Sequence, residues 1–93
     1  MVRDHAFEWD ENKRLANFAK HGIDFVMVRS AFDDKRAIAW TDHRRDYGER
    51  RQILVGSSDG PMVTVVYTLR RDTIRLISAR RSNLKERTLY EQQ

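Results

Sequence analysis

Ninety-three residues are enough for one domain spanning 1–93 but not for two with a core each, and so short a chain buries only about 60–65% of its unfolded surface. The absence of cysteine excludes a disulfide framework and a thiolate zinc site. No apolar run approaches the roughly 20 residues that span a bilayer, and the charged opening MVRDHAFEWDENK does not read as a signal peptide, so a cytoplasmic protein is expected.

In chain order, Phe7 and Trp9 alternate with Glu8 and Asp10, the pattern of a short strand with one buried face. Asp10 can cap a helix that Gly22 ends, with Leu15, Phe18 and Ala19 at helical spacing between them. Asp24 opens a second short helix carrying Phe25, Val28 and Phe32 on one face, with Ile23 and Val28 spaced as a hydrophobic staple. After Phe32 the apolar period falls from about 3.6 to 2. Strands are predicted over 37–40, 51–56, 62–69 and 74–80, separated by a polar stretch centred on Gly48, the turn SSDGP and the turn RRDT. A last helix is predicted within 82–93, where Asn83 and Glu86 have capping-box spacing. Hairpin connections imply an antiparallel β-sheet, so the class is α+β with two N-terminal helices and one C-terminal helix.

Charge narrows the chemistry. The net charge of +4 rests on 14 Arg and only 4 Lys. From Arg44 to Arg87 there are eleven Lys or Arg against five Asp or Glu, a surplus of six. Guanidinium offers a planar fork that fits phosphate or carboxylate, where ammonium is a point charge. The bias suits a solvated surface, a surface facing a polyanion, or one meeting an acidic protein. His5, His21 and His43 are scattered with no i, i+4 pairing, so no metal site is expected, and the four glycines stand singly rather than in a phosphate loop. Arg51, Arg70 and Arg80 fall at predicted strand ends. Sequential antiparallel pairing sets Arg51 and Arg70 at one end of the sheet and Arg80 at the other. Glu49, Lys20, His21 and Tyr90 are acid–base candidates, each with a plain alternative: an ion pair with Arg50 or Arg51, a helix C-terminus, packing.

Three motifs go further. FEWDENKRLANFAKHGIDF (7–25) contains the pattern W-D-x-x-K followed by N-x-x-K-H-G. ERRQILVG (49–56) sets an acidic residue and arginine before a strand of the form I-x-[ILV]-G. IRLISARRSNLKERTLY (74–90) joins I-R-[IL]-I-S-A-R to an E-R-x-x-Y helix. Together they resemble the BrnT family of type II toxins, small ribonucleases of the RelE/ParE fold group. Lys35, where the family often has proline, and Gln52, where an aromatic is common, depart from the pattern.

The resemblance implies an endoribonuclease without metal or other cofactor that inhibits translation and growth. Its catalytic residues would be Lys20, His21, Glu49, Arg51 and Arg80. Glu49 would be the general base, Arg51 and Arg80 would stabilise the phosphorane, and Lys20 or His21 would share the base role or protonate the leaving oxygen. Arg50, Arg70, Arg81 and Tyr90 would contact RNA, Arg81 from the opposite face of its strand. The implied partner is an acidic antitoxin with a DNA-binding half, two toxins on an antitoxin dimer forming a heterotetramer that binds operator DNA. A gyrase-binding toxin of the ParE type and a non-catalytic nucleic-acid-binding module are the alternatives.

Overall fold

The computed structural model describes residues 2–4 (backbone only), 6–44, 46 and 48–93; Met1, His5, Arg45 and Tyr47 lie outside the described residues. Its strands are β1 (Val2–Asp4), β2 (Phe7–Trp9), β3 (Ile38–Thr41), β4 (Gln52–Ser57), β5 (Met62–Arg70) and β6 (Thr73–Arg81), in one sheet ordered β1-β2-β6-β5-β4-β3. From β3 to β6 each strand is antiparallel to the next, as the turn signals predict. The sheet as a whole is mixed, which corrects the purely antiparallel expectation: β2 runs parallel to β6, with Phe7 opposite Ile74. Hairpin logic is local, and helices and three strands separate β2 from β6 in the chain, so their relative direction is not set by a turn. The N-terminal β1–β2 pair is antiparallel and was not foreseen, because Val2–Asp4 has no apolar alternation.

The helices are α1 (Glu11–His21), α2 (Phe25–Val28) and α3 (Leu84–Glu91). Asp10 and Asp24 accept from the second backbone N–H of α1 and α2, and Gly22 ends α1 in the left-handed region at φ 70°. The second helix is shorter than expected: after Val28 the chain winds as a 3-10 helix over Arg29–Asp33. Phe25, Val28 and Ala31 are all buried and sit three residues apart, the period that lines side chains up in 3-10 winding. Asn83 and Glu86 form the full capping box of α3.

The core lies on one side of the sheet, where Trp9, Ile23, Phe25 and Val28 meet Leu54, Val63, Val65, Tyr67, Leu76 and Ala79. Phe32 packs edge-on against both Phe7 and Tyr67, at 5.2 and 5.0 Å between centroids. Gly56 is what lets the 3-10 helix approach, since a Cβ there would stand 3.1 Å from both Ala31 O and Ala37 Cβ. The apolar spacing in α1 does not mark its buried side: Leu15 and Phe18 are 56% and 54% exposed, and the buried residue is Asn17. The opposite side of the sheet is part open. Trp40, Ile53, Val66 and Ser78 occupy successive strands of one rung there, and Thr64 faces Arg80 on the next. α3 crosses this side, tied to β5 by a 2.8 Å hydrogen bond from the Thr64 hydroxyl to Glu86.

Candidate active site

Asn17 sets the geometry. β2 covers only the start of β6, so the exit of β6 would present unpaired backbone to solvent. The Asn17 amide closes that edge in the manner of a strand. Its Nδ2 donates to Ala79 O at 2.8 Å and to Ile23 O at 3.0 Å, and its Oδ1 accepts from Ala79 N at 3.0 Å. The last turn of α1, carrying Lys20 and His21, is thereby pinned beside the residue that precedes Arg80.

Lys20, His21 and Arg80 line one cleft of about 460 Å³, together with Arg44, Lys85, Trp40 and Glu86. Arg80 donates from Nη1 and Nη2 to the two oxygens of Glu86 at 2.8 and 2.7 Å, a bidentate pair. Glu86 also accepts from Thr64 Oγ1 at 2.8 Å and from Asn83 N at 2.9 Å. Burial opposes the charge of Glu86, but hydrogen bonds from Arg80, Asn83 and Thr64 overrule it and bring the pKa down to about 2. The hydrogen bonds to Glu86 in turn raise the pKa of Arg80, against burial and the neighbouring charge of Arg44. Arg44 itself pairs with the buried Asp42 at 2.8 Å.

Glu49 lies elsewhere. Its carboxylate stands between Arg51 Nε and Arg70 Nη2, both at 3.4 Å, beside a shallow pocket of about 230 Å³ that Arg50, Gln52 and Thr68 also line. Arg80 faces Thr64, whereas Arg70 ends β5 opposite Thr73. Six residues of strand separate the two positions, about 20 Å along the sheet. The sequence expectation that Arg51 and Arg70 share one end and Arg80 the other is what the register shows. The structure thus brings together Lys20, His21 and Arg80, and separately Glu49, Arg50, Arg51 and Arg70. Tyr90 joins neither group: its hydroxyl donates to Asp34 at 2.7 Å, and Arg36 lies 5.6 Å from the centre of its ring. Arg81 faces Val63, on the core side of the strand, and is exposed.

Sequence reasoning missed Glu86, Trp40, Arg44 and Lys85, which line the same cleft. Glu86 was visible only as a helix cap, and a capping residue gives no sign of what its second oxygen holds. Among the described residues no three His, Cys, Asp or Glu side chains cluster to hold a cation.

The family model for "Ribonuclease toxin, BrnT, of type II toxin-antitoxin system" matches residues 9–86. The chain belongs to the BrnT family. The match runs from Trp9 to Glu86 and so contains Asn17, the Lys20–His21–Arg80 group, the Glu49–Arg51–Arg70 group and the carboxylate that holds Arg80. BrnT membership makes the protein a ribonuclease toxin of a type II toxin–antitoxin system, which implies an RNA target and a cognate protein antitoxin. Comparison with curated proteins found no match. Among the described residues of this BrnT chain, no helix is long and apolar enough to cross a membrane.

Proposed function

We propose that this BrnT toxin cleaves RNA, without a metal ion, in the cleft bounded by the end of α1, the exit of β6 and α3. The observation that carries the reading is Arg80, oriented by Glu86, sharing a cleft with Lys20 and His21. Attack of a ribose 2′-hydroxyl on its own phosphodiester needs that hydroxyl deprotonated, the phosphorane charge met and the 5′-oxygen protonated. It leaves a 2′,3′-cyclic phosphate and a 5′-hydroxyl. Glu86 and the Arg81 carbonyl engage Arg80 through Nη1 and one N–H of Nη2. The Nε–H and the second Nη2–H form the side-on fork that a phosphoryl oxygen pair fits. Lys20 and His21 move the two protons. Arg50, Arg51 and Arg70 hold the backbone of the same RNA strand farther along the sheet.

A second reading is favoured by the placement of Glu49 between two guanidiniums, where it serves as general base and Arg51 meets the phosphorane charge. Labelled RNA incubated in EDTA with Arg80→Lys and Glu49→Gln decides between them. The leading reading expects Arg80→Lys to lose about 10²-fold or more in turnover, with Glu49→Gln sparing kcat. The reverse pattern transfers the centre to Glu49. Activity lost in EDTA and restored by a divalent ion refutes both schemes. RNA left intact by the wild type under all conditions leaves a gyrase-binding toxin or a non-catalytic binding module.

The same reading places the protein in the cytoplasm, among RelE/ParE-like folds, where RNA cleavage arrests translation and growth. Its antitoxin is acidic, with a DNA-binding half. An antitoxin dimer carries two toxins, and that heterotetramer binds operator DNA.

A further inference from the structure

We infer that Trp40 is a stacking platform for one unpaired RNA base, favouring purines, beside the phosphate that Arg80 holds; the inference rests on the cleft assigned above. The chain has two tryptophans of opposite character: Trp9 is 2% exposed and Trp40 is 37% exposed. Trp40 stands on β3 opposite Ile53, and the rung continues through Val66 to Ser78, two residues before Arg80. Cross-strand packing on Ile53 accounts for part of the ring's contact. It does not account for a tryptophan more than a third exposed within the cleft that holds Lys20, Arg44 and Arg80. Leu89 of α3, 43% exposed, adds apolar surface across the same cleft.

An apolar aromatic surface set among cations matches the two faces of a single-stranded nucleotide: the phosphate meets the cations and the base covers the ring. A duplex cannot use such a surface, because its bases are already stacked. Stacking is sequence-tolerant, and the larger ring system of a purine covers more of an indole, which sets the preference. An acidic protein would satisfy the cations equally, but a single strand pairs a planar base with every phosphate as its repeating unit, which a protein chain does not, so a single-stranded nucleic acid is favoured.

The test uses the intact toxin and hexanucleotides of adenine or uracil carrying 2′-O-methyl groups, which bind but cannot be cleaved. The adenine hexamer should quench the fluorescence of the exposed Trp40 and bind more tightly than the uracil hexamer. Trp40→Leu should weaken adenine binding by about 5- to 150-fold and narrow the adenine–uracil difference. Trp40→Phe, which keeps a stacking ring, should recover most of the loss. Hexamer binding that depends on Arg80 (lost in Arg80→Ala) but is unchanged in Trp40→Leu overturns the stacking site and leaves the cleft standing. Binding indifferent to Arg80→Ala overturns both. Trp40→Leu that binds RNA normally and loses affinity only for the antitoxin assigns the ring to the protein partner, and likewise overturns the proposal.

Discussion

Glu86 holds three elements with two oxygens. Oε1 accepts from Arg80, Thr64 and Asn83, and Oε2 accepts from Arg80, so strand β5, the exit of β6 and the first turn of α3 meet on one carboxylate. Glu86→Gln keeps the size but replaces one acceptor oxygen with an amide N–H that points at a guanidinium. The expected outcome is a fall in RNA cleavage of at least tenfold together with a loss of roughly 1–3 kcal/mol of stability, the cost of a buried donor left unmatched. Cleavage assays and urea titration of one preparation check both. The carboxylate also has a pH signature. Its folded pKa of about 2 lies below the ordinary 4.5, so its contribution is fully present above about pH 4.5 and is lost as pH falls toward 2. Asp24, held down by Arg14, and Asp34, held down by the Ser57 N–H, act in the same direction. Urea midpoints measured across that window should fall for the wild type and fall less steeply for Glu86→Gln.

At the scale of elements, the Asn17 clamp decides where α1 ends relative to β6. Asn17→Ala removes three hydrogen bonds and leaves the N–H and C=O of Ala79 unpaired. Loss of about 2 kcal/mol is expected, read as a melting temperature lower by roughly 10 °C for a domain of this size. Asn17→Asp keeps the acceptor for Ala79 N but loses both amide donors, and should be no better. The N-x-x-K-H-G motif displayed Asn17, yet nothing in the sequence says that a polar residue, rather than Leu15 or Phe18, faces the sheet. Features fixed by near neighbours were legible: the Asp10, Asp24 and Asn83 caps, the Gly22 stop and the β3–β6 meander with its turns. What depends on distant residues was not. The parallel β2–β6 pair, the 3-10 winding after Val28 and the exposure of α1's apolar residues all follow from packing against strands far away in sequence. The site divides in the same way, since Lys20, His21 and Arg80 stand in recognisable motifs while Trp40 enters the cleft only through the β3–β4 register.

At the scale of the molecule, charge and size bear on the antitoxin together. The segment from Arg44 to Arg87 carries a surplus of six positive charges, and Lys20, Arg44, Arg80 and Lys85 edge a single cleft. On the proposed reading an acidic antitoxin drawn to that side would cover the cleft, and by binding only the folded toxin it would stabilise a small domain by mass action. Charges at the rim of an interface act chiefly on encounter, whereas buried apolar contacts govern how long the complex lasts. Screening lengths fall from about 30 Å at 0.01 M salt to about 8 Å at 0.15 M, so the attraction that steers the encounter fades over an accessible range. Stopped-flow association of the toxin with its antitoxin should slow at least tenfold over that range, with the dissociation rate nearly constant. Lys85→Ala, at the rim of the cleft, should flatten the salt dependence of association without shortening the lifetime of the complex. An association rate indifferent to salt would place the first contact away from the arginine-bearing side, on the exposed apolar surface of α1 around Leu15 and Phe18.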